Sequence, residues 1–142
     1  MSSQGKPFGK ETTTKTSTAQ STRNQSQLDF ELEFFEGVLD RNPEYLDVLR
    51  VHGSNLTLKC RYEEGLTIDR RLVQLRPTDA LAHYNLACSY SLLNKTGYAL
   101  RALRKALELG YRDFRYLRQD RDLAAVRRDS RFRKLLREFE NR

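Results

Sequence analysis

Residues 77–111 read PTDALAHYNLACSYSLLNKTGYALRALRKALELGY. The apolar positions recur at helical spacing, and the stretch predicts two helices joined by a tight turn. Small residues, Ala87 in the first helix and Ala99 in the second, sit where the helices would touch, with large apolar residues between them. Thr78 and Asp79 supply oxygens suited to capping the first helix. Gly110 suits a left-handed stop after the second.

Working outward, this unit has a diverged copy before it. Pro43 and Pro77 lie 34 residues apart, and a further 34 residues lead to Tyr111. In that register Leu86, Ala87 and Tyr90 answer His52, Gly53 and Leu56, while Ala99, Leu103 and Ala106 answer Gly65, Asp69 and Leu72. The copy predicts helices over residues 44–59 and 62–75. Mid-helix Gly65 costs about 1 kcal/mol relative to alanine, and close packing against the first helix is expected to offset it. Upstream, residues 28–40 (LDFELEFFEGVLD) carry a stripe of Leu28, Leu32, Phe35 and Leu39, widened by Phe34 and Val38. Asn42-Pro43 ends that helix, because the residue before proline is pushed out of the α region.

A fixed period near 34 points to a solenoid of helical hairpins. The chain resembles the tetratricopeptide repeat family, a small bacterial-type member of it. The residues that carry the resemblance are Leu86, Ala87, Tyr90, Ala99, Leu103 and Ala106 in the second repeat, with Gly53, Gly65 and Pro77 in the first. Departures are His83 for the usual Trp, Tyr111 for the closing Pro, His52 for a Leu and Asp69 for an aromatic residue. The resemblance implies an all-α, right-handed solenoid with a C-terminal helical cap. Residues 28–45 form a half repeat, 46–79 repeat 1, 80–113 repeat 2, and 114–142 the cap. Within the cap, Asp120, Asp122, Leu123, Arg127, Asp129, Arg131, Phe132, Leu135 and Leu136 match a segment seen after many bacterial arrays of this family. Asp129 is the expected N-cap of a last helix over residues 130–140. A two-repeat array is short for stability, so this cap is expected to be required.

Residues 1–27 are rich in Ser, Thr, Gln, Lys and Gly with one aromatic residue, Phe8, and cannot bury enough apolar surface to offset ordering entropy. A disordered polar tail is predicted. The whole chain has 38% hydrophobic residues and a mean hydropathy of -0.75. No stretch approaches the roughly 20 apolar residues of a membrane span, and residues 1–22 hold no apolar run of a signal peptide's length. Cys60 and Cys88 give no CxxC spacing. The cytoplasm is the expected compartment. The net charge of +7 is uneven: +3 over residues 1–26, -3 over 27–76, +2 over 77–110 and +5 over 111–142.

Neither a phosphate-binding glycine loop nor HExxH nor GxSxG occurs, so no enzyme, cofactor or metal site is expected. His52 and His83 both fall at inward-facing repeat positions and read as core histidines. Cys88 stands five residues from His83, which is not one helical face and weakens a nucleophile pair. Glu63, Glu64, Asp120 and Asp122 read as ordinary exposed or capping acids.

The resemblance implies a concave groove lined by the first helix of each repeat. In this chain those positions are Asp47, Arg50, Val51, Ser54, Thr57 and Leu58, then Leu81, Tyr84, Asn85, Cys88, Ser91 and Leu92, continued by Arg115, Arg118 and Gln119. This partly resembles the carboxylate clamp of chaperone-binding members. Asn85 matches by residue and position and Arg50 and Arg115 by charge, whereas Ser54 and Gln119 depart. The implied function is a non-catalytic scaffold that binds a peptide or helix of another protein. Two other readings stand beside it: a nucleic-acid-associated protein using the Arg-rich segment 112–142, and a small enzyme or metal protein using His83 and Cys88. Self-association through residues 28–39 is a further expectation.

Overall fold

The computed structural model describes residues 18–142, with side chains from residue 25 onward. Among the described residues eight α-helices follow in order, with no strand. They are α1 (Thr18–Arg41), α2 (Leu46–Leu58), α3 (Tyr62–Leu75), α4 (Ala80–Leu92), α5 (Thr96–Glu108), α6 (Phe114–Gln119), α7 (Ala124–Arg127) and α8 (Ser130–Glu140). A 3-10 turn, Arg121–Leu123, separates α6 from α7. The helices α2 and α3 pair as one hairpin and α4 and α5 as the next, with α3 against α4, α1 against α2, and α8 against α5 and α7. The architecture is a right-handed tetratricopeptide-type solenoid closed by a helical cap.

The helix ends follow from local chemistry. Residues Cys60 (φ 61°), Asn94 (φ 58°) and Gly110 (φ 110°) take the left-handed conformation just past α2, α4 and α5. Each helix then closes by a bond from the residue after that one: Arg61 to the Leu56 carbonyl (2.8 Å), Lys95 to Tyr90 (2.9 Å) and Tyr111 to Ala106 (3.0 Å). That is one stop signal used three times. At the other ends, the carboxylates of Asp79, Asp113 and Asp129 accept from the backbone N–H groups of Leu81, Tyr116 and Arg131, satisfying donors that a helix start leaves over. The Arg131 side chain holds the Asp129 carboxyl down at about 2, below the usual carboxylate range.

Upstream of α2 the outcome departs from expectation. The helix α1 begins at Thr18, inside the stretch predicted to be disordered as far as residue 27; the remainder of that prediction, residues 1–17, lies outside the described residues. No Gly or Pro interrupts residues 18–36, and a helix already nucleated gains one bond for each residue added. Its anchors are Leu28 and Leu32, which pack with Leu56 and Ile68. Lys59 reaches across to Asp29 at 2.7 Å and to the Gln25 amide at 3.4 Å. Phe34, expected to widen the buried stripe, is instead 55% exposed and stacks on Phe30 at 6.1 Å. Its position points away from α2, so only Phe35, Val38 and Leu39 flank the buried leucines as half-buried side chains.

The two glycines at the helix contacts behave differently. A Cβ on Gly53 would stand 3.2 Å from Ile68 Cγ2 and 3.4 Å from Asp69 Oδ1, so a side chain there would have to push the β-branched Ile68 aside by a few tenths of an ångström. A Cβ on Gly65 would meet Thr57 Oγ1 at 3.7 Å and Leu56 Cβ at 3.9 Å, which is ordinary contact. Close packing therefore does not require Gly65, contrary to the expectation. Gly65→Ala should stabilise the fold by roughly 0.5–1 kcal/mol through helix propensity, whereas Gly53→Ala should cost about 1–3 kcal/mol through overpacking. Urea unfolding of the two variants beside the wild type decides this.

Candidate functional site

The inner face of the solenoid is where the groove residues fall, and the structure divides them. On α2, Asp47 is exposed, Arg50, Val51 and Thr57 are half-buried, and Leu58 is 40% exposed. On α4, Leu81, Asn85 and Leu92 are half-buried. Ser54, Tyr84, Cys88 and Ser91 are buried, Tyr84 and Cys88 completely. Arg115, Arg118 and Gln119 on α6 are exposed. Tyr84 and Cys88 are therefore not groove contacts, and neither are Ser54 and Ser91. The chain's own C-terminal segment, the 3-10 turn and α7, lies over this part of α4.

The reason is Asp120, which had read as an ordinary exposed or capping acid. It does cap, since its Oδ1 accepts from the Asp122 N–H at 3.0 Å. It is also buried, and its Oδ2 accepts from the Tyr84 hydroxyl at 2.8 Å, with Cys88 Sγ 3.7 Å away. The Arg127 guanidinium donates to the Asp120 backbone carbonyl. Tyr84 stacks on Tyr111 at 4.4 Å with the rings 14° apart. Burial pushes the Tyr84 phenol well above its ordinary range, reinforced by Cys88 and Asp120, and burial raises Tyr111 as well. Tyr84 is thus a permanent donor, and a buried phenol of this kind needs such a partner. Leu117, Leu123 and Val126 complete the seal with Tyr84 and Cys88 in one apolar cluster.

Arg50 is also committed. Its guanidinium pairs with Asp79, the N-cap of α4, at 3.0 Å, both side chains being about a quarter exposed (22% and 27%). It ties α2 to the start of the next hairpin, and to hold a ligand carboxylate it would first have to leave Asp79. Arg118 pairs with Glu140 of α8. Of the clamp positions, Arg50 is thus engaged within the chain, while Arg115 and Gln119 stand exposed on α6.

The histidines and cysteines do not converge. His83 is half-exposed, and its Nε2 donates to the Pro77 carbonyl at 2.8 Å. Its place in the first turn of α4 lets it close the loop before it, so it is not the core histidine expected. Cys88 faces Asp120 on the other side. The donor cluster that comes nearest to a metal constellation among the described residues is Cys88, Asp120 and Asp122, with ligand atoms within 4.8 Å of one another. Both Asp120 oxygens there already accept hydrogen bonds from Tyr84 and Asp122. Asp69 is likewise buried and accepts from Ser89, joining α3 to α4.

His52 does sit in the interior, 4% exposed, beneath Glu36, Arg61 and Glu64. Burial pulls its pKa below the ordinary 6.5, the nearby carboxylates opposing.

No family model matches the chain. A chloroplastic protein of Arabidopsis thaliana is 40% identical over 91 residues, which are 62% of this chain and 27% of that relative. The chain thus spans little more than a quarter of the relative's length. Among solved structures, MamA (residue 41 to the end) from Desulfovibrio magneticus RS-1 superimposes with a TM-score of 0.58 at 24% identity, covering 84% of this chain and 70% of that one. The likeness is one of fold. No described helix is long and apolar enough to cross a membrane.

Two measurements test the site. Tyr84→Phe removes a buried donor to a carboxylate and should cost roughly 1.5–3 kcal/mol. In urea unfolding its effect should be non-additive with that of Asp120→Asn, since the two residues share one bond. For His52, the unfolded chain takes up a proton near pH 6.5 and the native state only lower. Its contribution is therefore complete above pH 6.5 and is lost as pH falls through the depressed native pKa. The melting temperature should drop between pH 7.5 and 5.5, and His52→Leu should flatten that slope.

Proposed function

We propose that this chain is a non-catalytic protein–protein interaction module of the tetratricopeptide family. Its ligand is a peptide or helix lying along α2 and the first two turns of α4. The observation that carries this reading is the division of the inner face. Val51, Leu81 and Asn85 remain half-exposed beside Asp47, whereas the neighbouring Tyr84 and Cys88 are sealed by the cap. Apolar side chains with one amide that can both donate and accept suit an extended backbone or an amphipathic helix. A clamp on a terminal carboxylate is less well supported, because Arg50 is held by Asp79.

The catalytic alternative loses support from the separate engagements of His83 and Cys88. The nucleic-acid reading is weakened by the carboxylates interleaved with the arginines: Arg104 and Arg142 pair with Glu138, Arg118 with Glu140 and Arg131 with Asp129. A phosphate-tracking surface needs an unbroken cationic stripe. As its setting we propose an aqueous compartment, the cytoplasm of a bacterium or the plastid interior that the name of the Arabidopsis relative indicates for that protein.

A photo-crosslinking amino acid placed at Leu81 tests the reading, with one at exposed Lys105 on α5 as control and nuclease present throughout. Protein adducts should form from position 81, disappear with Val51→Asp, and be absent from position 105. Equal labelling at both positions, or none at 81, would remove the groove from consideration.

A further inference from the structure

Two surfaces at opposite ends of the solenoid have no role in the packing just described. The first is the outer side of α1. Phe30 is 62% and Phe34 55% exposed, their rings stacked one helical turn apart with centroids 6.1 Å from each other. Gly37 lies on the same side, one turn beyond Phe34, and a Cβ there would meet nothing within 4 Å. A glycine inside a helix weakens it, and no contact among the described residues accounts for this one. It leaves room for another backbone to approach beside the two rings. The surroundings are acidic: residues 29–44 hold six carboxylates and one arginine, and of the six, Asp29 and Glu36 are paired with Lys59 and Arg61.

The second surface is a cleft of about 620 Å³ between α6 and α8. Arg118, Arg127, Arg133 and Arg137 line it around Phe132 and Leu136. Glu140 occupies Arg118 and the Asp120 carbonyl occupies Arg127. Arg133 and Arg137 are exposed, stand one turn apart on α8, and have no carboxylate partner among the described residues.

We propose that the chain associates head to tail with a second copy of itself, the Phe30–Phe34 face of one protomer seating on the Arg133–Arg137 face of the next. The chemistry is complementary on three counts. Two aromatic rings a turn apart meet two guanidinium groups a turn apart, and guanidinium groups are attracted to ring faces. Glu33, lying between the rings in sequence, brings a carboxylate toward the cationic cleft. Gly37 permits the two helix backbones to come close. Within one molecule the surfaces cannot meet, since α1 packs on α2 while α8 packs on α5 and α7. The contact is heterologous, so each copy keeps one unsatisfied end and assembly continues as a ring or a filament. It uses the ends of the solenoid and does not depend on the groove.

Sedimentation velocity over a wide concentration range, in low and high salt, tests the proposal. The wild-type sedimentation coefficient should rise with concentration and fall back in high salt. Phe30→Ser/Phe34→Ser and Arg133→Glu/Arg137→Glu should each be monomeric, with far-UV circular dichroism unchanged. Mixed together, the two variants still own one intact face of each kind and should form a one-to-one dimer and nothing larger. A wild type that stays monomeric throughout would overturn the proposal. So would an Arg133→Glu/Arg137→Glu variant that self-associates like the wild type, which would mean pairing of α1 with α1, or a mixture that stays monomeric. Crosslinking from Leu81 should be unchanged in all these variants, which separates this outcome from that of the groove.

Discussion

The hydrogen bond from the Tyr84 hydroxyl to Asp120 governs the shape of this molecule. It joins the middle of α4 to the corner where α6 ends, across 36 residues of sequence and in an interior that excludes water. A carboxylate in such a place is costly unless its oxygens are occupied. Here one oxygen takes the phenol and the other takes the Asp122 N–H, so the same residue anchors the cap and starts its next turn. With that corner fixed, Leu117, Leu123 and Val126 fall onto α4 and the apolar cluster runs unbroken from Leu66 to Phe139. A two-hairpin array would otherwise end on an open apolar face. The seal uses the inner surface of α4 to close the end, and Tyr84 and Cys88 are buried beneath it.

Much of the fold was legible because it depends on local signals repeated at a fixed spacing. The helices at 62–75 and 130–140, the Asp79 and Asp129 caps and the Gly110 stop each rest on one or two residues with a defined backbone role. Cys60 and Asn94 show the same period in a form that composition hides: they are unlike as side chains, yet 34 residues apart they adopt the same left-handed stop. A cysteine there carries some steric cost, and so it gave no turn signal to read.

The candidate site was less legible, for a specific reason. Assigning Tyr84 and Cys88 to the groove assumes that a full repeat follows, with a long first helix set at the usual distance. The segment that follows is α6, six residues long, and a 3-10 turn, which bring a buried aspartate into the space instead. Asp120 in sequence is one acid among several in a charged stretch; its burial depends on contacts with residues 84 and 88, and no local pattern encodes them. His83 was misplaced for a related reason, since a position that faces inward in the middle of an array lies at the edge when it falls in the first turn of its helix. On α1 the stripe of Leu28 and Leu32 was correctly read, but one helix with aromatic residues at 30, 34 and 35 offers more apolar surface than its single neighbour can cover.

The charge distribution follows the same logic of ends. A net charge of +7 spread evenly would repel copies of the chain, but the acids gather around α1 and the arginines around α6 to α8. Where the two signs occur on the same helices they neutralise each other across the cap, as in Arg104–Glu138 and Arg118–Glu140. Exposed pairs of this kind contribute little to stability, about 0–1 kcal/mol each, so their main effect is on what remains. In the cap Arg118, Arg131 and Arg142 are paired with carboxylates, and Arg133 and Arg137 stand among the cations that remain, beside the apolar floor of Phe132 and Leu136. Two guanidinium groups one turn apart on α8 match in spacing the two rings one turn apart on the acidic α1.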